Sequence, residues 1–399
     1  MIIRARTVVP IDGDPIENGA VAILGNTITD VDRFDEIRRR QTDEVLDLGE
    51  QVLVPGLINA HCHLDYTVLR GKIPAGESFA DWIQAINAEK AKLTGQDYIA
   101  SINAGFAEAM QFGTTTIANL TAFPELVPAI NPPIRTWWFG ELIDVRNPDQ
   151  AEQIVAKAVA VLKATEHWGL APHAPFTASA SLYSRCEEIA RTENVLLTTH
   201  LAESREEIQM FRDATGPAFD FLQSIGRPMA DCGSETPFSL FERRRTLGDR
   251  WIVVHLNELD PGDFALLEKA GPFHIVHCPR SHTFFGHAPF ALKRLRALGF
   301  NVCLGTDSLA SNSDLSMFAE MRELLRKEPS VSPRAALEMA TRNGATALGQ
   351  SGLLGCLRKG ARADVIAVPV SPGQDVFESI VTFEGSVPWT MSNGKVPTT

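Results

Sequence analysis

The sequence predicts an α/β fold: a (β/α)8 barrel of the TIM type with a small β-sandwich domain built from both ends of the chain. Three observations lead to this fold. Apolar runs of strand length alternate with amphipathic segments of helix length through the middle of the chain. Short strand-like runs separated by turn residues occupy both ends. The length of 399 residues suits one large barrel with a satellite domain.

Short strand patterns mark both ends of the chain. The runs RARTVVPI, AVAILG and EVLDLG lie near the start, and ADVIAVPV and VPWTMSNGK lie near the end. Turn residues such as DGDP and GNT separate them, and neither end has a pattern typical of a helix. We therefore expect residues 1–53 and 355–399 to form one composite β-sandwich domain, and residues 54–354 to form the barrel.

Eight apolar runs in the middle of the chain have the length and composition of buried strands. In chain order they are VLVPGLINAHCH, TTTIANL, RTWWFGEL, GLAPHA, VLLTTHLAE, WIVVHLNEL, FHIVHCPRS and NVCLGTDS. Several of the amphipathic stretches between them end in glycine, as helices often do. A doubly wound open sheet is the alternative, but the G-x-G-x-x-G turn typical of that fold is absent from the sequence. The pattern therefore favours the barrel.

One segment of the barrel region, residues 204–250, is longer than a single crossover helix requires. We interpret it as an insertion that serves as a lid or as a subunit contact. A homo-oligomer is therefore compatible with the sequence.

Composition and charge narrow the class of partner. The net charge of −12 repels phosphate backbones, which argues against nucleic acid and leaves a small molecule as the expected partner. No apolar run reaches the roughly 18 residues of a membrane span, and the start of the chain does not resemble a signal peptide. The six cysteines are scattered without a C-x-x-C pair, so we expect a reducing cytoplasmic location.

Five of the ten histidines fall at the carboxyl ends of predicted barrel strands, where barrel enzymes build their active sites. They are His61, His63, His173, His200 and His255. His61 and His63 are two residues apart on a strand, so both imidazoles can face the barrel axis. An isolated pair of this kind is equally well explained as two satisfied polar residues at a strand end. The repetition on further strands favours a functional site.

A metal site explains the convergence best. His61 and His63 end the first strand, His200 ends the fifth in TTHLAES, and Asp307 ends the eighth in LGTDS. Three neutral imidazoles and one carboxylate suit zinc, with iron or manganese as alternatives. No lysine stands at these strand ends to bridge two metals, so we expect one divalent ion.

Several polar residues beside these four are candidates for the chemistry. Glu203 follows His200 by three residues and can carry a proton between water and a leaving group, although a glutamate at a helix start is the simpler explanation when it is taken alone. His255 can bind the metal or orient the attacking hydroxide. Arg280 and His282 follow the seventh strand and can line the pocket.

Taken together, these motifs resemble the amidohydrolase superfamily. The resemblance rests on HCH after VPGLINA, on APHAP, TTHLAE, VVH and LGTDS in this order, and on KGARADVIAV near the end. It spans nearly the whole chain. The pattern is similar to that of S-adenosylhomocysteine/methylthioadenosine deaminases, aminodeoxyfutalosine deaminases and chlorotriazine hydrolases.

The resemblance implies a role for each matching residue. His61, His63, His200 and Asp307 would hold the metal, and Asp307 would also help to deprotonate the attacking water. Glu203 would move protons to the ring nitrogen and the leaving amine, His255 would orient the hydroxide, and His173 would touch the substrate. The implied activity is metal-dependent hydrolytic deamination of an adenine-type nucleoside. Chlorotriazine hydrolysis and deamination of guanine or another nucleobase on the same site are the alternatives.

Two segments depart from the family pattern. Nucleoside deaminases of this branch carry an acidic residue for the ribose hydroxyls after a helix that contains tryptophan. Here that helix carries Trp82 and Glu89, but Lys90 lies nearer to the expected position. The seventh-strand motif CPRSHTFFGH also differs from the pattern of the adenosylhomocysteine enzymes, so Arg280 and His282 would face a different ring or tail. Trp82, Glu89, His173, Arg280 and His282 are the candidate substrate-binding residues.

Overall fold

Parallel strands arranged as a closed barrel form the centre of the molecule. The computed structural model describes residues 1–76, 78–244, 247–370 and 373–396. The barrel strands are β8 (Leu57–His63), β9 (Thr114–Thr121), β10 (Arg135–Leu142), β11 (Trp168–Pro172), β12 (Leu196–Leu201), β13 (Trp251–His255), β14 (His274–His277), β15 (Asn301–Leu304) and β16 (Asp307–Ser308). From β8 to β15 each strand pairs in parallel with the next one in chain order, and β16 pairs in parallel with β8.

The last strand closes the barrel in two pieces. β15 pairs with β14 through Asn301 to Leu304, whereas β16 pairs with β8 through Asp307 and Ser308. Gly305 lies between the two pieces, and a Cβ atom there would come within 2.7 Å of the carbonyl oxygen of His61. Only glycine allows this close approach, which places Asp307 beside the end of β8.

Helices surround the barrel and connect its strands, as the alternating pattern predicts. They are α2 (Phe79–Lys90), α3 (Gly95–Gln111), α4 (Ala151–Leu162), α5 (Ala180–Glu193), α6 (Arg205–Ile208), α7 (Pro217–Ser224), α8 (Pro237–Arg244), α9 (Pro261–Leu267), α10 (Pro279–Phe285), α11 (Leu292–Ala297), α12 (Met317–Lys327), α13 (Pro333–Met339) and α14 (Arg342–Ala347). None of the helices in the described ranges is long and apolar enough to cross a membrane.

Two further sheets are built from both ends of the chain. Their strands are β1 (Ile2–Arg4), β2 (Thr7–Val8), β3 (Ile16–Glu17), β4 (Gly19–Leu24), β5 (Thr27–Arg33), β6 (Val45–Asp47), β7 (Gln51–Pro55), β17 (Val365–Pro369) and β18 (Trp389–Met391). One sheet has the order β5-β4-β1-β6 and the other β18-β17-β7-β2-β3. The antiparallel pairing of β17 with β7 joins the two chain ends, so the predicted fold class is confirmed.

The boundary between the terminal β-domain and the barrel lies at a single residue, Gly56. β7 belongs to a terminal sheet and ends at Pro55, whereas β8 belongs to the barrel and begins at Leu57. A Cβ atom at Gly56 would come within 2.0 Å of the Thr115 side chain, so this crossing also requires glycine. We propose that the barrel domain begins here, close to the expected limit at residue 54.

The prediction that neither end contains a helix is wrong. Helix α1 (Phe34–Arg40) packs Ile37 into the terminal domain, and helix α15 (Val376–Val381) begins at Asp375, whose side chain accepts from the backbone N–H groups of Phe377 and Glu378. Both helices are too short to show a helical period in the sequence. Acidic residues in the first turn of α1 and arginines in its last turn complement the helix dipole.

Within the predicted insertion, residues 204–244 fold against the barrel mouth. They include α6, a single π-helical turn at Gln209–Asp213, α7 and α8. Met210, Phe211 and Leu222 from this segment are buried against Ala174 and Phe176, which follow β11. The segment therefore covers the loop that carries His173.

Candidate metal centre and active site

Four strand ends bring histidines and a carboxylate together at the carboxyl end of the barrel. The Nε2 atoms of His63 and His200 are 3.3 Å apart. Oδ1 of Asp307 lies 3.6 Å from Nε2 of His61 and 3.8 Å from Nε2 of His63. The ring centroids of His200 and His255 are 5.3 Å apart. All five side chains are buried.

Backbone conformations at these strand ends are unusual. His255 has a φ of 78° and Asp307 a φ of 57°, and Ala202 between His200 and Glu203 has a φ of 50°. Residues other than glycine adopt this left-handed region at an energetic cost, which the surrounding fold must offset. The sharp turns direct His255 and Asp307 towards the barrel axis.

Hydrogen bonds to the outer atoms orient two of these groups. The ring Nδ1 of His200 lies 3.0 Å from the carbonyl oxygen of His173 and donates to it, which leaves Nε2 of His200 as a lone-pair donor towards the axis. Oδ2 of Asp307 accepts from the hydroxyls of Ser281 at 2.7 Å and Ser311 at 3.2 Å, so Oδ1 is the oxygen left to face the histidines.

Burial keeps the imidazoles neutral. Burial is the main reason why the pKa values of His200 and His173 are lowered to about 3, with smaller contributions from neighbouring imidazoles and, for His173, from Lys90. The pKa values of His63 and His255 are lowered well below their usual range for the same reason. Neutral imidazole is the form that binds a metal. Burial alone would raise the pKa of Asp307, but the facing imidazoles of His61 and His255 hold it well below the ordinary value.

Glu203 lies beside this cluster in a different electrostatic state. Its Oε1 is 3.5 Å from Nε2 of His255, and its own backbone N–H donates to Glu207 at 2.8 Å. Burial raises the pKa of Glu203 well above its usual value, and the carboxylates of Asp307 and Glu207 add to the effect. Asp307 and Glu203 are therefore two buried carboxyl groups whose environments move their pKa values in opposite directions, the arrangement expected of an acid and base pair.

The donor atoms at the axis fit a divalent cation. Nδ1 and Nε2 of His61 are buried and have no hydrogen-bond partner among the described residues, although buried polar groups are normally satisfied. Ligand atoms of His61, His63 and Asp307 lie within 4.8 Å of one another, as do those of His61, His200 and His255. Imidazole nitrogens with one carboxylate oxygen are a donor set that zinc and similar ions accept.

Comparison with known proteins agrees with this geometry. The model of the amidohydrolase family matches residues 52–396. The chain belongs to the amidohydrolase family. It is 32% identical over 377 residues to the 5-methylthioadenosine/S-adenosylhomocysteine deaminase of Syntrophobacter fumaroxidans, a match that covers 90% of this chain and 81% of the relative. The family is metal-dependent, in agreement with the histidine and aspartate cluster.

Solved structures with the same fold include two deaminases. The aminofutalosine deaminase of Helicobacter pylori, solved in complex with methylthio-coformycin, has a TM-score of 0.88 and 21% identity and covers 100% of both chains. An adenosine deaminase of Xanthomonas campestris, solved with bound zinc, has a TM-score of 0.82 and 24% identity and covers 99% of this chain and 92% of that one. These similarities show the fold of this amidohydrolase.

The candidate substrate-binding residues differ in how close they lie to the cluster. His173 is in it: its ring centroid is 4.9 Å from that of His200. Trp82 belongs to an aromatic group at the mouth, with ring centroids 6.0 Å from Phe79 and 4.9 Å from Phe285. The buried Nε1 of Trp82 has no hydrogen-bond partner within the part of the chain that the structure describes.

The other three candidates have partners of their own. Glu89 pairs with Lys92 at 2.5 Å on the outer side of α2. Arg280 pairs with Asp314 at 2.6 Å. Nε2 of His282 lies 2.8 Å from the carbonyl oxygen of Ala288. The structure therefore gives none of these three a contact with the metal-ligand candidates among the contacts of the described residues.

Sequence reasoning missed two glutamates at the mouth. Glu141 near the end of β10 is buried, with Oε1 3.7 Å from Nδ1 of His63 and 3.9 Å from Nε2 of His173. Glu206 accepts from the backbone N–H groups of Phe79 at 2.7 Å and Ala80 at 3.0 Å, which fixes the start of α2 to the loop after β12. The available signal for Glu141 was its place in RTWWFGEL, a lone carboxylate at the end of an otherwise apolar run.

Proposed function

We propose that this amidohydrolase is a hydrolytic deaminase that acts on an adenine-type nucleoside. The observation that carries the proposal is the contrast between Glu203 and the neutral imidazoles: a buried carboxyl of raised pKa beside a set of metal donors. The names of the relatives support deamination, since the 32% identical protein is a methylthioadenosine and adenosylhomocysteine deaminase.

We propose His61, His63, His200 and Asp307 as the ligands of one divalent ion, most simply zinc, with iron or manganese as alternatives. When bound, such an ion lowers the pKa of a coordinated water and supplies a hydroxide nucleophile near neutral pH. The neutral state of the imidazoles favours this occupancy, because no proton has to leave before the ion enters.

The chain's own residues would handle the protons. Glu203 in its protonated form gives its proton to the ring nitrogen next to the attacked carbon, while Asp307 accepts the proton that the attacking water loses. His255 lies close to both carboxyl groups and would aim the nucleophile. Glu203 then takes the remaining hydroxyl proton of the adduct and relays it to the leaving amine, and the proton held by Asp307 returns to Glu203 to restore the starting state. A carbon–oxygen bond forms, a carbon–nitrogen bond breaks, and water is exchanged for ammonia.

A substrate without ribose, either a chlorotriazine or guanine or another nucleobase, is the second candidate class. The observation that favours it lies on α2, where Glu89 pairs with Lys92 and the ammonium of Lys90 lies 4.7 Å from the ring centroid of Tyr66. This helix therefore presents a cation near the mouth, where a ribose-binding enzyme of the branch carries an acid.

A substrate screen with metal-loaded protein tests the proposal. It follows ammonia release from adenosine, methylthioadenosine, adenosylhomocysteine, aminodeoxyfutalosine, guanine and aminotriazines, and chloride release from chlorotriazines. We expect the fastest ammonia release from one of the adenine nucleosides. Chloride release or activity on free bases alone would replace this substrate class with the second one, and no hydrolysis of any compound would contradict the proposal.

Two further expectations accompany this function. We propose a cytoplasmic location, because all six cysteines are free thiols and most of them are buried. We also propose that the partner is a small molecule rather than nucleic acid or a membrane surface, in keeping with the net charge of −12.

A further inference from the structure

Glu141 is a buried acid next to the metal-ligand candidates that the reaction described above does not use. It stands one residue before the end of β10, and its side chain is only 4% exposed. Its Oε1 and the Nδ1 atom of His63 face each other at 3.7 Å, and neither has a hydrogen-bond partner among the residues that the structure describes. Two unsatisfied buried groups that face each other indicate a contact that closes when the site is assembled.

The position of the proton on His63 determines whether this histidine can bind a cation. A neutral imidazole, the form that binds a metal, carries one proton on either Nδ1 or Nε2. Nε2 of His63 points to the axis, 3.3 Å from Nε2 of His200. A proton on Nδ1, next to the Glu141 carboxylate, leaves the Nε2 lone pair free for the ion. A proton on Nε2 would block it.

His200 also keeps the lone pair of its Nε2 free, but a backbone group accepts the hydrogen bond from its Nδ1. Its Nδ1–H donates to the carbonyl oxygen of His173, a backbone group that the pairing of neighbouring strands holds in place. The corresponding acceptor for His63 is the side chain of Glu141 on β10, two strands away from β8 in the sheet, so it can be removed by substitution. Acceptors of this kind raise the basicity of a ligand histidine and fix its ring.

Glu141 also contacts His173 on its other side. Nδ1 of His173 lies 2.6 Å from the hydroxyl of Thr177. With Oε1 of Glu141 3.9 Å from Nε2, the carboxylate favours the tautomer that carries its proton on Nε2 and accepts from Thr177. One carboxylate therefore selects the tautomers of both histidines.

We propose that Glu141 is a positioning residue: it holds His63 with its proton on Nδ1, so that Nε2 faces the cation, and it holds His173 with its proton on Nε2. The inference rests on the metal site of the proposed function. It extends that function by naming the group that prepares one of the ligands.

A direct role of Glu141 as a metal ligand is the competing explanation. Ligand atoms of His63, Glu141 and His200 lie within 4.8 Å of one another and could hold an ion. However, Glu141 faces Nδ1 of His63, whereas His200 faces Nε2, on the opposite side of the same ring. One ion cannot lie in the ring plane on both sides. The geometry therefore favours a single ion at Nε2, with Glu141 behind the ring.

Metal titration of the Glu141→Gln variant tests this role. The apo-protein is prepared with a chelator, and zinc affinity and stoichiometry are measured by competition with a chromogenic chelator. We expect one zinc ion per chain in both proteins, with affinity about 10–100-fold weaker in the variant. The Glu141→Asp variant keeps the charge but shortens the side chain, and we expect an intermediate affinity. It also provides the measurement if the glutamine variant does not fold.

Asp263→Asn is the matched control. Asp263 is a buried carboxylate that accepts from Thr236 and from the backbone N–H of Asp260, away from the metal cluster. Its substitution should lower the melting temperature without changing zinc affinity. Wild-type affinity in both Glu141 variants would overturn the positioning role, and so would two zinc ions in the wild type with one in Glu141→Gln. If the wild type itself bound no zinc, the metal site of the proposed function would fail and this inference with it.

Discussion

Two successive layers of the same barrel treat their polar groups in opposite ways. In the inner layer, the amide of Asn59 donates to the hydroxyl of Thr306 at 2.8 Å and accepts from its backbone N–H at 3.1 Å. One step towards the mouth, the two ring nitrogens of His61 have no hydrogen-bond partner among the described residues, and Asp307 adopts a left-handed φ of 57°. The inner layer maintains the fold, whereas the outer layer is left incomplete for a ligand.

The largest expected effect is the loss of turnover in Glu203→Gln, a substitution next to the outer layer. The variant keeps the shape of the side chain but cannot carry a proton, so kcat should fall by about 10²–10⁴-fold or more while zinc content stays at the wild-type level. Steady-state ammonia assays and metal analysis measure both. Glu166→Gln, an 83% exposed glutamate, is the control and should keep full activity. Near-normal turnover in Glu203→Gln would remove this residue from the reaction.

The second comparison removes one polar group from each layer in the apo-protein. Asn59→Ala removes two buried hydrogen bonds to Thr306, whose N–H and hydroxyl keep only the carbonyl oxygens of His61 and Asp307. We expect it to lower the free energy of unfolding by about 2 kcal/mol. His61→Leu removes two nitrogens that have no partner in the described structure, so the loss should stay below about 1 kcal/mol. Urea denaturation in the presence of a chelator measures both, and equal losses would contradict the contrast between the layers.

The smallest expected effect is a pH dependence of apo-protein stability. The pKa of His200 is about 3 in the folded chain, below the usual 6.5, so the unfolded state binds the extra proton first. This contribution is present above pH 6.5 and is lost on acidification, by up to about 2 kcal/mol at pH 5. The buried carboxyl of Glu207, whose pKa is raised to about 7, acts in the opposite direction.

The His200→Asn variant separates the contribution of this histidine to the pH dependence of stability from that of the buried carboxyl groups. His200→Asn should lose less stability than the wild type when the pH falls from 8 to 5, as measured by urea denaturation of both apo-proteins. Parallel curves for the two proteins would show that His200 is not buried in the neutral form.

The sequence predicted those parts of the site that depend on strand position. His61, His63, His200 and Asp307 each end an apolar run, and the strands of a barrel must bring such ends to one mouth. Side-chain partners across the fold were beyond this reasoning. The pairing of Arg280 with Asp314, which lies 34 residues further along the chain, depends on tertiary packing.

Three further features could not be predicted from the sequence, each for a different physical reason. Glu89 finds Lys92 one helical turn away, a partner that its position after Trp82 does not reveal. Glu141 has no neighbour in sequence that marks it, because its contacts lie on β8 and after β11. Helices α1 and α15, of seven and six residues, are shorter than the window in which a helical period becomes visible.

The hydrogen bonds that Glu206 accepts from the first amides of α2 connect this helix to α6, which directly follows the turn that carries Glu203. Trp82 stands on the first turn of this helix, and Glu206 follows Glu203 by three residues. An outward swing of the helix would have to break two charge-assisted bonds or pull the Glu203 loop with it. The position of Trp82 at the mouth and the alignment of Glu203 are thus mechanically linked.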